Sequence, residues 1–210
     1  MNYQNFAIKT RRLSYFKKDV LQTFLGNQRT LNNQLVAWQR QGKIHKLKKG
    51  IYTLNEEERR APLTALMISN LIYAPSYISL ESALSYFALI PERVVGITAV
   101  TPHKTATFQN FYGYFSYRSI KTNYFFGFQS IRNAGDVPVL IATPEKAILD
   151  KVYFDTAFQP FEDYFLENLR LQNYEKLRIK MLTLYGRKFD CKKITRAISV
   201  LADMIRKEKK

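Results

Sequence analysis

Between Gln28 and Gln34 the chain reads Gln-Arg-Thr-Leu-Asn-Asn-Gln, and Arg40 follows a little further on. Asn and Gln amides pair bidentately with adenine, and Arg with guanine, in the major groove of DNA. The side chains that reach base edges are those near the N-terminus of a recognition helix. Gln28, Arg29, Asn32, Asn33 and Gln34 are of those types, Thr30 stands among them, and all six lie at that end of a helical run. Thr and Asn are poorer exposed-helix residues than Ala, Glu or Lys, so helix formation alone does not account for the cluster. A second group, Lys46, Lys48 and Lys49, offers ammonium groups suited to phosphate, contacts that position a protein and add salt-dependent affinity without reading sequence. The alternative for both groups is an ordinary solvated polar surface.

Presenting these groups requires a defined scaffold. Residues 16–25 place Phe16, Val20, Leu21 and Phe24 at amphipathic-helix spacing, and Gly26-Asn27 signals a turn. A second helix is expected from about Gln28 to Gln41, with Leu31, Leu35 and Trp38 on one face at i, i+4, i+7. Two short helices about a tight turn make a helix-turn-helix. Ile44 and Leu47 before Lys48-Lys49-Gly50, and Ile51 and Leu54 after it, predict a short hairpin, the wing. His45 has no second ligand at usable spacing and reads as a solvated wing residue. Residues 1–55 are therefore expected to form a winged helix-turn-helix that binds duplex DNA.

Charge follows the same division. Residues 1–55 hold 11 Lys/Arg against one acid, Asp19, residues 56–155 are neutral, and residues 156–210 carry a net +6. A charge of +10 at one end fits a polyanion, with a neutral block behind it. One cysteine, Cys191, excludes an internal disulfide framework and fits a reducing cytoplasm. No apolar run of a secretory signal is seen near Met1. The uncharged stretch between Arg60 and Glu81 is broken by Pro62, Asn70 and Pro75, so it reads as a buried helix and a loop rather than a membrane span.

From 56 to 155 an α+β block is expected. Ser79 caps a helix bearing Leu80, Ala83, Leu84 and Phe87, and Pro91 ends it. Ile97–Thr101, Tyr112–Arg118, Tyr124–Phe128 and Val137–Ala142 look like strands of one small, mostly antiparallel sheet. Thr143-Pro144-Glu145 opens a helix to about Phe154. The aromatic crowd from Phe108 to Phe128 is better explained by sheet packing than by single-strand stacking, because a stacking groove wants a basic track beside it. A C-terminal helical extension over 156–210 follows, with helical composition at 162–171 and 173–185 and a final helix, about 190–208, striped by Ile194, Ile198, Leu201 and Ile205. No catalytic constellation, metal cluster or phosphate loop emerges, and no cofactor is expected. Asp136 and Glu145 flank a strand, but two carboxylates beside Lys146 make a thin metal site for a nuclease.

The order of a winged helix ending in Gly50-Ile51-Tyr52, the run Pro75 to Leu84 (PSYISLESAL), Leu89-Ile90-Pro91-Glu92, Thr98-Ala99-Val100-Thr101 and the run Ala142 to Asp150 (ATPEKAILD) resembles the AbiEi-type antitoxins of bacterial type IV, abortive-infection toxin–antitoxin systems. The resemblance covers roughly residues 15–155. Phe87-Ala88 stands where that family often has a Gly, and Pro102-His103-Lys104 is less basic than its usual run. The resemblance implies a non-enzymatic protein with two roles. The N-terminal winged helix binds inverted repeats in its own promoter and represses it. The C-terminal region counters a co-encoded nucleotidyltransferase-like toxin, without a stable complex being implied. One winged helix offers little contact area, so two copies, as a dimer or meeting on the DNA, are expected on a repeated site. Two other readings stand beside this one: a DNA-acting enzyme with a winged-helix specificity domain, and a regulator whose middle block senses a small ligand.

Overall fold

The computed structural model describes residues 2–25, 28–156 and 160–208, without the side chains of 22–25, Gln28 and Asp136. The Gly26-Asn27 turn, the packing of Phe24, the side chain of Gln28 and that of Asp136 lie outside it. The architecture is mixed α/β with helices at its C-terminal end.

The first element is α1, Tyr3–Thr10, whose N-terminus is capped by the Asn2 side chain accepting from the Asn5 amide. The sequence pattern did not signal it. Then come β1 (Phe16–Lys17), α2 (Lys18–Leu25), α3 (Gln28–Arg40), β2 (Ile44–Lys48) and β3 (Ile51–Leu54). The three strands form an antiparallel sheet in the order β1-β3-β2. Phe16, expected on the face of a helix, instead pairs with Tyr52 across β1–β3. The Lys18 amide donates to the Gly50 carbonyl, so the helix starts two residues late. That displaces the stripe, leaving Leu21 buried and Val20 53% exposed. Phe6, Phe16, Leu21, Leu31, Leu35, Trp38, Ile44 and Leu54 close one small core.

A larger core follows. After α4 (Ala65–Ile72) come β4 (Tyr77–Ile78), α5 (Leu80–Tyr86), β5 (Ile97–Thr101), β6 (Ala106–Asn110), β7 (Gly113–Ser119), β8 (Phe128–Arg132) and β9 (Pro138–Ala142). They make a six-stranded sheet in the order β6-β7-β5-β4-β9-β8. Three pairings are antiparallel, and β5–β7 and β4–β9 are parallel. Helix α4 bears out the reading of the uncharged stretch as a buried helix: Met67, Ile68 and Ile72 are buried. Two strands, β4 and β6, escaped the sequence pattern. The expected strand at Tyr124–Phe128 is a 3₁₀ turn at Thr122–Tyr124, with the strand beginning only at Phe128. Those aromatics bury themselves from irregular backbone, so their hydrophobicity carried no strand period.

Helix α6, Pro144–Phe154, starts where expected: Thr143 accepts from the Lys146 amide, and Pro144 takes the first turn. Beyond it, α7 (Phe161–Asp163) runs into a π-helical turn at Tyr164–Asn168, in place of a regular helix over 162–171. The expected helix at 173–185 resolves into a 3₁₀ turn at Tyr174–Lys176 and α8, Ile179–Phe189. Asn173 at φ +52° and Arg170 at φ +49° interrupt that region. The last helix, α9, spans Lys192–Glu208 and buries Ile194, Leu201 and Ile205 of the expected stripe, with Ile198 half-buried. Among the described residues no helix is long and apolar enough to cross a membrane.

Candidate nucleic-acid interface

Helix α3 has two faces set by its period. Leu31, Leu35 and Trp38 are at most 7% exposed, and Trp38 stacks on Phe6 of α1 with ring centroids 4.6 Å apart. Arg29, Asn33, Val36 and Arg40, at i, i+4, i+7, i+11, are exposed on the opposite side. Thr30 and Asn32 are exposed beside them, and Gln34 is half-buried. The structure therefore brings Arg29, Thr30, Asn32 and Asn33 together at the N-terminal half of one outward surface, with Arg40 one end further on. Val36, 50% exposed in the middle of this polar stripe, was missed. Its spacing from Asn33 would have found it, and a methyl-bearing side chain there suits contact with a thymine methyl.

The hairpin is divided between two duties. Its turn at Lys49-Gly50 needs Gly50 at φ +82°, a conformation glycine takes without cost. A bulge between Lys46 and Lys48 puts Leu47 out of register, which explains the imperfect alternation of the sequence. The extra residue turns Leu47 into the larger core while Ile44 stays in the smaller one. Lys48 goes with it. Its Nζ donates to the Ile72 carbonyl at 2.8 Å and lies 5.3 Å and 5.1 Å from the ring centres of Tyr73 and Phe108. A cation on a last-turn carbonyl of α4 satisfies an orphan acceptor and opposes the helix dipole. Lys48 thus ends β2 beside the turn, but its ammonium is turned to the middle block instead of offered to phosphate; Lys46 and Lys49 remain exposed.

His45 also differs from the solvated wing residue of the sequence reading. It is half-buried and stacks on Phe111 at 3.9 Å between ring centroids, with 9° between the planes. Burial, and then the nearby Arg59 guanidinium, hold its imidazole below the usual range. The Asn110 amide donates to the Leu47 carbonyl at 3.0 Å, and Arg59 to the Tyr112 hydroxyl at 2.6 Å. The β6–β7 hairpin thereby braces β2.

The two sequence strings of the middle block meet in the interior. Tyr77 and Ser79 come from PSYISLESAL, Lys146 and Asp150 from ATPEKAILD, and all four side chains are buried. The Lys146 ammonium pairs with Asp150 and donates to the Tyr77 hydroxyl at 2.8 Å. Tyr77 and Ser79 donate to the other Asp150 oxygen at 2.9 Å and 2.8 Å. Ser79 thus occupies the cap position of α5 but spends its hydroxyl on Asp150 rather than on the helix. Burial drives the Asp150 carboxyl up and the Lys146 ammonium down, only partly offset by their attraction.

Glu145, one carboxylate of the nuclease alternative, is 1% exposed and accepts from the Arg178 amide and guanidinium. Burial pushes its carboxyl up, but the Arg178 hydrogen bonds and charge bring it below the ordinary range. Among the described residues no three His, Cys, Asp or Glu side chains gather as a metal would require. No family model matches the chain, and no curated protein matches it.

Proposed function

We propose that the protein is a cytoplasmic antitoxin and transcriptional autorepressor of a bacterial toxin–antitoxin operon, and not an enzyme. In this reading residues 1–55 act as a winged helix, with α3 in the major groove of promoter DNA. The hairpin rests on the backbone through Lys46 and Lys49. The region beyond counters a co-encoded nucleotidyltransferase-like toxin, in line with the resemblance to AbiEi-type antitoxins. The observation that carries the reading is the outward α3 stripe of Arg29, Asn33, Val36 and Arg40, set directly opposite Leu31, Leu35 and Trp38. The Asn33 amide, the Arg29 guanidinium and the Val36 methyls, on a helix held from behind, are what direct readout of base edges requires. The helix–strand–helix–helix–hairpin order supports the same assignment.

The test is a gel-shift series on the protein's own promoter. Arg29→Ala and Asn33→Ala are expected to flatten discrimination between operator and scrambled DNA, each by about 1–3 kcal/mol per base read. Equal loss on both DNAs would refute the groove assignment. Repression of a promoter reporter, and rescue of cells expressing the adjacent toxin gene, test the two roles separately.

A further inference from the structure

A groove of about 860 Å³ opens on the side of the N-terminal unit formed by α1, β1 and α2. Its floor is Phe6, Phe16 and Leu21, the front of the small core. Leu13, 47% exposed, and Val20, 53% exposed, stand along it, and Met67 of α4 reaches it from the middle block. Lys9, Arg12 and Lys17 also line it, and among the described residues no carboxylate does.

We infer that this groove binds a free long-chain carboxylate: an apolar chain laid on Phe6, Phe16, Leu13 and Val20, with its anionic end held among Lys9, Arg12 and Lys17. The volume lies in the range of small-molecule sites, and apolar walls with a few placed charges are their usual composition. The charge decides the occupant. A second copy packed groove to groove would set three cations against three more, with no carboxylate among the described lining residues to offset them. A phosphodiester backbone has no apolar chain for the walls. An amphipathic monoanion satisfies both features, and it reaches beyond the proposed DNA and toxin roles.

Trp38 makes the site readable, because it is the only tryptophan in the chain and stacks on Phe6, whose ring forms part of the floor. The experiment titrates the full-length protein with 12-bromododecanoate below its micelle concentration and follows Trp38 fluorescence, since bromine quenches indole at close range. Saturable quenching is expected, reversed by unbrominated laurate. Decanoate, two methylenes shorter, should compete about ten-fold less well if the chain is buried. Leu13→Asp, at an exposed position, is expected to weaken binding at least ten-fold, and Arg12→Ala with Lys17→Ala to do the same. Ile8→Asp, 60% exposed and outside the groove, should leave it unchanged. A thermal shift by laurate, absent in Leu13→Asp, supplies a second readout. Quenching that does not saturate, or that 12-bromododecanol matches, would overturn the inference. So would concentration-dependent dimerisation that Leu13→Asp abolishes.

Discussion

Lys46 and Lys48 are two residues apart, and the bulge sends them to opposite tasks. Lys48→Ala would leave the Ile72 carbonyl without its donor and expose the rings of Tyr73 and Phe108 to a gap. A loss of about 1–3 kcal/mol in urea unfolding is expected, with the salt dependence of DNA binding unaltered. Lys46→Ala should do the reverse, leaving stability within about 0.5 kcal/mol and weakening all DNA sequences alike. Nothing in a row of lysines distinguishes these fates, because the distinction lies in the bulge and in the neighbour across it. Glu145 carries a similar lesson. Its folded carboxyl titrates below the ordinary 4.5, so the stabilisation it provides is complete above about that pH and is lost as pH falls through the folded value. Glu145→Gln is therefore expected to flatten the acid limb of a stability–pH curve; an unchanged limb would assign acid sensitivity to other carboxylates.

At the scale of elements, legibility follows periodicity. Helices α3 and α9 were readable because a long apolar stripe repeats at the helical period, and α6 because Thr143-Pro144 marks its start. Helix α1 was not, since Phe6 is its only large buried side chain. The two-residue strand β4 is too short to show alternation, yet it sits between β5 and β9 at the middle of the sheet. Its position is held by chemistry rather than by pattern. Tyr77 in β4 and Ser79 just after it bind Asp150 of α6, partners 73 and 71 residues away in the chain. Asp150→Ala would strand the buried Lys146 ammonium, with an expected cost of about 3–5 kcal/mol. The double change Lys146→Met with Asp150→Leu removes both charges and should cost less than the single one. Chemical denaturation of the three proteins checks this, and a double variant worse than Asp150→Ala would show that the charges, not only their balance, hold the fold.

Across the whole molecule, the β2–β3 hairpin joins the two cores, Ile44 facing the smaller and Leu47 the larger. The N-terminal charge of +10 thus sits on a unit anchored to the neutral block, while the C-terminal 55 residues offer a competing +6. Salt dependence separates the two surfaces. Arg40, Lys46 and Lys49 are exposed on α3 and the hairpin, so two copies on an inverted repeat would neutralise about six phosphates. The slope of log affinity against log salt is then expected near −5, a loss of roughly a thousand-fold between 50 and 200 mM. Lys46→Gln with Lys49→Gln removes about four of those contacts and should bring the slope to about −2. A slope that the double variant leaves untouched, but that Lys192→Gln with Arg196→Gln on α9 reduces, would move the DNA to the C-terminal helices and leave the α3 stripe without its proposed role.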